Sequence, residues 1–231
     1  MEIRSYADYL RALDDDALIA IFTHRPDLIT PIPPDMASLA VRASSAPSLA
    51  RAVDGLNRWQ LQILEIAAIL AEPFTEKELT SLSDKSALFV LPTLIERGLL
   101  YSDKDGLRTP ANLKEVLGNE IAGLGPASMA KLKLKKLDEA PAAAEKVLAA
   151  MVWGPPRGTI TDIKKPSAGV AWLLDEGFLI PFNQQTVVLP REVAIYLRGN
   201  KVHRQLEAVA PVLTGSLRKA RDIQLSAIAN V

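Results

Sequence analysis

The feature that most constrains this fold is a pattern that occurs twice in the sequence. In its second copy, residues 171–198 read AWLLDEGFLIPFNQQTVVLPREVAIYLR. An apolar helical run ends at Gly177, and glycine tolerates the left-handed conformation that closes many helices. Two β-prone segments follow around a polar turn, and Pro190 then opens another helix. The stretch therefore predicts a helix, a two-stranded hairpin and a second helix.

The first copy lies at residues 92–118, where LIERGLL aligns with LLDEGFL of the second copy. Gly98 and Pro110 take the places of Gly177 and Pro190, and the DKDG sequence supplies the turn. A helix, a glycine, a hairpin, a proline and a helix form the last part of a winged helix-turn-helix unit. We therefore predict wings at residues 99–109 and 178–189, with positive φ at both glycines.

The whole chain is predicted to be mainly α with small β-hairpin wings, forming tandem winged helix-turn-helix units after a helical segment. The predicted divisions are a helical amino-terminal segment at residues 1–56, a first winged-helix unit at 57–125, a basic linker at 126–141, a second winged-helix unit at 142–200 and a helical tail at 201–231. The tail is predicted to hold helices at 202–210 and 217–228. Because those helices have no evident apolar partner, we expect an absent carboxy-terminal region beyond the tail.

Two details concern the helices inside the predicted units. The third helix of the first unit spans residues 85–97 and contains Pro92, so it should be bent or split. In the second unit, Pro166 closely follows the short stretch 159–165. The usual second helix is therefore expected to be abbreviated or absent there.

Composition excludes several classes of function. The 231 residues include no cysteine and two histidines, and the formal net charge is +0. Thiolate metal sites and cysteine nucleophiles are thus excluded, and the GPPRG loop lacks the lysine and strand–loop–helix setting of a phosphate loop. No apolar run approaches the length of a membrane span. We expect a cytoplasmic protein that is not an enzyme, uses no cofactor or metal and has no membrane partner.

Basic residues in the first unit and the linker are the candidates for nucleic-acid contact. The third helix of the second unit instead ends in Asp175 and Glu176 and holds no basic residue. For the linker lysines, a solvated helix face with packed leucines is the competing interpretation. Arg25 could also meet a phosphate, although an ion pair with a nearby aspartate is favoured. The candidate set is Lys85, Arg97, Lys104, Arg108, Lys131, Lys133, Lys135 and Lys136.

Three further motifs resemble one known family. They are RPDL-x-x-P-x-P at residues 25–33, WGPP-x-G at 153–158 and VVLPREV at 187–193. Together they resemble the amino-terminal part of actinobacterial helicase-associated proteins, large chains related to XPB/Ssl2-type DNA helicases. The resemblance spans nearly the whole chain, but its motifs are structural and supply no catalytic residues. It implies work linked to DNA, in repair or transcription, with the helicase-related region beyond Val231.

Two functions therefore stand at this stage. The first is a DNA-binding accessory region that makes weak, sequence-tolerant contacts to the phosphate backbone. The alternative is a winged-helix docking scaffold that binds a helicase, or its own carboxy-terminal half, without touching DNA. The distribution of the basic residues on the surface should separate the two.

Overall fold

Short helices make up most of the computed structural model, which describes residues 5–208. In the amino-terminal segment, Ser5, Asp14 and Asp35 each accept a hydrogen bond from a backbone N–H in the first turn of a helix. These caps satisfy donors that a helix cannot pair internally. The helices are α1 (Tyr6–Ala12), α2 (Asp15–His24), α3 (Met36–Ala43) and α4 (Ala46–Asp54), with a 3₁₀ turn at Pro26–Leu28.

Four α-helices and a hairpin follow in the next part of the chain. Capping boxes at Asn57 and Thr75 start the first two helices. The predicted third helix is split, as its proline required: a 3₁₀ turn at Lys85–Phe89 precedes a helix with Pro92 in its first turn. The elements are α5 (Arg58–Ile69), α6 (Glu76–Ser81), α7 (Leu91–Glu96), β1 (Tyr101–Ser102), β2 (Leu107–Arg108) and α8 (Leu113–Leu117), followed by a 3₁₀ turn at Ile121–Gly123.

The first sheet is small and antiparallel. Tyr101 pairs with Arg108 and Ser102 with Leu107. Phe74, between α5 and α6, adds an isolated antiparallel bridge to Leu107. The bridge ties the start of α6 to the hairpin that follows α7.

The last described part of the chain follows a similar order but has no counterpart of α6. After a 3₁₀ helix at Leu134–Glu139 come α9 (Ala142–Met151), β3 (Arg157–Thr159), α10 (Ala168–Asp175), β4 (Ile180–Pro181), β5 (Thr186–Val188) and α11 (Arg191–Leu197). The strands form an antiparallel sheet in the order β3-β5-β4. No helix lies between β3 and α10, in agreement with the prediction. Gly98 and Gly177 have φ of 63° and 73°, which confirms both glycine predictions.

The tail prediction is wrong where the structure describes it. Residues 202–208 are not helical. The Gln62 side chain donates to the Gln205 carbonyl at 3.0 Å and accepts from the Glu207 N–H at 2.8 Å, while Val202 is buried. Gln62 of α5 therefore pairs two of the backbone groups that a helix would have paired. The second predicted tail helix, residues 217–228, lies outside the described residues.

Two groups of buried apolar side chains form the interior. The larger one joins α5 and α7 with α9, α10 and the second hairpin, through residues such as Leu64, Leu94, Leu148 and Leu173. The smaller one lies among the amino-terminal helices and includes Tyr101 of β1. Within residues 5–208, no helix has the length and apolar character needed to cross a bilayer.

Candidate nucleic-acid interface

Lys85 lies at the first turn of the split third helix of the first unit. The Asp84 carboxylate accepts from the Ser86 N–H and so starts this 3₁₀ turn. The Lys85 side chain is exposed, and so are Leu88 and Phe89 on the same turn, with Phe89 79% exposed. This surface is therefore a lysine beside two apolar side chains, and not a row of groups that could read base edges.

Arg97 is less accessible than the sequence suggested. It follows α7 and is half-buried, and its Nη1 lies 2.9 Å from where a Cβ on Gly55 would stand. Its Nε is buried without a hydrogen-bond partner among the described residues. Packing against the end of α4 thus occupies this side chain. Gly55 lies far away in sequence, so no local pattern could reveal the contact.

Arg108 and Lys104 belong to the first hairpin. The Asp103 carboxylate accepts from the Arg108 guanidinium and from the backbone N–H groups of Asp105 and Gly106. The hydrogen bond between the Asp103 and Arg108 side chains lowers the pKa of Asp103 and raises the pKa of Arg108. Arg108 therefore stabilises the turn, whereas the Lys104 side chain at the tip is exposed.

The linker orients its leucines and lysines in opposite directions. Leu132 and Leu134 pack against the larger core and Leu137 is buried. Lys131, Lys133 and Lys135 are exposed between them. Lys136 is also exposed and pairs with the Glu176 carboxylate. The packing holds three lysines in a row on a fixed stretch of backbone.

This lysine row is attached to the second unit. The Leu132 side chain lies 3.4 Å from where a Cβ on Gly177 would stand. The Tyr196 hydroxyl donates to the Asp138 carboxylate at 3.0 Å, and the Ser128 N–H donates to Glu192 at 2.9 Å. The linker therefore runs beside the base of the second hairpin.

The second hairpin holds a feature that sequence reasoning missed. Phe182 follows β4 at the tip and is 61% exposed. The Arg157 guanidinium carbon lies 4.6 Å from the centre of its ring, and Glu120 binds the same guanidinium. The sequence signal was an aromatic residue directly before the polar Asn-Gln-Gln turn. Arg157 could not be connected to it without knowing that β3 joins this sheet.

The amino-terminal helices pack against the first strand of the first hairpin. Tyr6 and Tyr9 of α1 contact Tyr101 of β1, with ring centres 5.1 and 5.6 Å apart. The Tyr6 hydroxyl donates to the Gly98 carbonyl at 3.0 Å, and burial raises the pKa of Tyr6. Base readout by this part of the first unit is obstructed, since α2 also packs against α7.

Arg25 does not contact solvent, which excludes the phosphate interpretation. It is 1% exposed and donates to the Ala43 carbonyl at 2.8 Å and to the Ser48 hydroxyl at 2.6 Å. Ser48 in turn donates to Asp27. Arg25 and Asp27 are thus linked through Ser48 and not by the direct ion pair that the sequence favoured. Burial lowers the pKa of Arg25.

These features define a mainly helical protein with two small antiparallel sheets and exposed lysines on a packed linker. Among residues 5–208, no group of three or more histidine, aspartate or glutamate side chains is placed to hold a metal ion. No family model matches the chain, and neither a curated protein nor a solved structure was found to match it.

Proposed function

We propose that this protein is a non-catalytic DNA-binding module of two tandem winged helix-turn-helix units. In this proposal it is the accessory region of a helicase-associated protein in DNA repair or transcription. Its contacts run through the phosphate backbone and tolerate any sequence. The partners are DNA and either a helicase or the carboxy-terminal region of the same protein.

The order of elements supports the winged-helix assignment. In the first unit, α5, the Phe74 bridge, α6, the split third helix and the β1–β2 hairpin follow one another. In the second unit, α9, β3, α10 and the β4–β5 hairpin occur in the same order without the second helix. A strand that joins the hairpin and a helix directly before it are the parts by which a winged helix is recognised.

The lysine row Lys131, Lys133 and Lys135 is the observation that carries the DNA-binding proposal. Packing of the intervening leucines holds the backbone of the row against the core, so this backbone does not need to be ordered when the lysines bind. Reduced ordering on binding lowers the entropic cost of the contact. Three exposed lysines close together in the chain can contact neighbouring charges of a phosphate backbone.

The remaining surface favours backbone contact over base readout. The exposed end of α10 carries Asp175, and Glu176 beside it is engaged by Lys136. In the first unit, the exposed apolar pair Leu88 and Phe89 flanks Lys85. Apart from Lys85, the exposed surface at the start of the first unit's third helix is apolar, and α10 contains no basic residue. Neither helix offers a set of basic and amide side chains that would discriminate bases in a major groove. Binding should therefore be weak and sensitive to salt.

The test is a triple charge reversal of the lysine row, Lys131→Glu, Lys133→Glu and Lys135→Glu. Fluorescence anisotropy would follow binding to a fluorescent duplex of about 20 base pairs, from about 50 to about 200 mM salt. We expect at least a roughly tenfold loss of affinity at low salt and a shallower salt dependence, by about two to three in the log–log slope.

A matched control changes the net charge by the same amount at residues outside the linker. Arg51→Glu, Lys77→Glu and Lys114→Glu alter three exposed residues of the amino-terminal segment and first unit. We expect this variant to lose less than about twofold in affinity, because it leaves the row intact. An equal loss in both variants, or no binding by the unaltered protein at low salt, would refute the proposal.

A second candidate function is protein docking, and the exposed Leu88 and Phe89 favour it. In this case the partner is a helicase that covers the apolar pair. Phe89→Ser should then abolish co-purification of a helicase, identified by mass spectrometry, with the tagged protein from its own cells. The same variant should leave DNA binding unchanged. Co-purification that survives the substitution would count against this candidate.

A further inference from the structure

The tip of the second hairpin presents an aromatic ring to solvent on a firmly held turn. The Phe182 N–H donates to the Thr186 carbonyl at 2.9 Å, and the Gln185 N–H donates to the Asn183 side chain at 2.9 Å. Both bonds close the turn on itself. Phe182 is nevertheless 61% exposed, so the ring lies outside the core.

The segment that follows β3 also forms hydrogen bonds with this turn. The Ile160 and Ile163 N–H groups each donate at 2.8 Å, to the carbonyls of Gln185 and Gln184. The turn is thus bonded to the segment that follows β3 as well as within itself. A ring mounted on such a turn keeps its orientation without a ligand, which reduces the entropy lost when a ligand binds.

Arg157 covers one side of the Phe182 ring. Its guanidinium carbon lies 4.6 Å from the ring centre, and Glu120 accepts a hydrogen bond from Nε. Since most of the Phe182 surface is still exposed, the opposite side of the ring is open. A planar ligand could therefore stack there, with the guanidinium adding a cation behind the stack.

Polar and basic groups line a depression beside the turn that carries Phe182. This depression of about 210 Å³ is lined by Thr161, Asp162, Lys164, Gln184 and Gln185. The Lys164 side chain and both glutamine side chains are exposed. The Asp162 carboxylate is engaged by the Lys164 N–H at 2.9 Å. Lys164 could meet a phosphate, and the amides could bond to base edges.

We propose that the second wing binds an unpaired nucleotide of single-stranded or forked DNA, with its base stacked on Phe182. This inference rests on the proposed DNA-binding function and assigns it a substrate class. Any base offers a π-face, so stacking suits the sequence-tolerant contacts of the lysine row. Within a duplex, both faces of each internal base are already covered by its neighbours. The wing therefore distinguishes unpaired from paired DNA.

The location of the lysine row agrees with this assignment. Leu132 packs beside Gly177, three residues before the start of β4, so the row lies at the base of the hairpin that carries Phe182 at its tip. A strand whose phosphates follow Lys131, Lys133 and Lys135 could continue towards the wing. Backbone contact and base stacking are then made by one unit.

The experiment compares Phe182→Ala with Phe182→Tyr, which keeps the aromatic ring. Each variant is titrated against a single strand of about 12 nucleotides carrying 2-aminopurine, a fork and a blunt duplex of the same sequence. We expect Phe182→Ala to bind the single strand and the fork about tenfold more weakly and to lose 2-aminopurine quenching. Blunt-duplex affinity should change less than about twofold, and Phe182→Tyr should behave as the unaltered protein.

Two controls separate the possible failures. Phe89→Ala removes another exposed aromatic residue and should leave all three affinities unchanged. If Phe182→Ala binds the single strand normally while the lysine-row variant still loses affinity, stacking is refuted and backbone binding stands. If the unaltered protein binds none of the three DNAs at low salt, the proposed function fails and this inference with it.

Discussion

A comparison of Gly98→Ala with Gly177→Ala tests the surroundings of the glycine that follows the third helix in each unit. Both glycines follow the third helix of their unit, and their φ values of 63° and 73° are nearly the same. The backbone penalty for alanine should therefore be the same at both sites. Alanine in the left-handed backbone conformation destabilises the folded state by about 1–2 kcal/mol. The lower flexibility of alanine in the unfolded chain offsets about 0.4–1 kcal/mol of this loss.

The surroundings of the two glycines differ, so the two alanine variants should lose different amounts of free energy of unfolding. A Cβ at Gly177 would lie 3.4 Å from Leu132, an ordinary contact, so about 1 kcal/mol should be lost. A Cβ at Gly98 would lie 2.6 Å from the buried Tyr6 hydroxyl, which donates to the Gly98 carbonyl. Displacing Tyr6 adds about 1 kcal/mol for the hydrogen bond and about 1–3 kcal/mol for repacking. We expect Gly98→Ala to lose about 3 kcal/mol or more.

Thermal unfolding followed by circular dichroism can separate these values. For a chain of this size, 1 kcal/mol corresponds to about 2–4 °C in Tm. Gly177→Ala should lower Tm by about 3 °C and Gly98→Ala by about 9 °C. Tyr6→Phe removes the clashing oxygen, so it should destabilise the Gly98→Ala variant less than the unaltered protein, by about 1 kcal/mol. Equal losses at both glycines, or strictly additive effects of the pair, would refute the reasoning.

Three further predictions concern pH, a buried arginine and the first wing. Because burial raises the pKa of Tyr6, the folded state favours the neutral phenol. The contribution of Tyr6 to the free energy of unfolding should therefore be fully present below about pH 10 and be lost at higher pH. Urea unfolding should show a less steep loss in Tyr6→Phe. Arg198→Met should lower the free energy of unfolding by about 2–4 kcal/mol in the same assay, since buried Arg198 donates to the Val152 and Val202 carbonyls at 2.6 and 2.8 Å. Reversing the charges of Lys104 and Arg108 together should lower the affinity for every DNA ligand by a similar factor in anisotropy titrations. Lys104→Glu alone should have the same effect while keeping the ion pair between Arg108 and Asp103. Loss of binding to one sequence only would instead reveal base readout by the first wing.

The candidate site was only partly visible in the sequence. The alternation of lysine and leucine in the linker indicated exposed charges over packed apolar groups, and the structure has this arrangement. The sequence also grouped these lysines with Arg97 and Arg108 as equivalent candidates. Packing against Gly55 and pairing with Asp103 distinguish those two arginines. A basic side chain looks the same in sequence whether it faces solvent or a distant glycine.

The tail shows how a tertiary contact can override a local pattern. Residues 202–208 have helical periodicity, yet Gln62 of α5 bonds to their backbone and Val202 enters the core. Helix formation gives little free energy to a short segment on its own. A few bonds to a neighbouring helix are therefore enough to hold it in another conformation.

By itself, the sequence determined the local elements of this protein. Glycine after a helix, proline at the start of the next one and capping side chains act through the backbone of adjacent residues, so both hairpins, the split at Pro92 and the missing helix before α10 could be predicted. Only the tertiary structure decided where charges and rings lie. It attached the linker to the second unit, packed Tyr6 and Tyr9 against the first strand of the first hairpin, and set Arg157 over Phe182. These contacts join residues far apart in the chain, and their free energy depends on packing that no local pattern records.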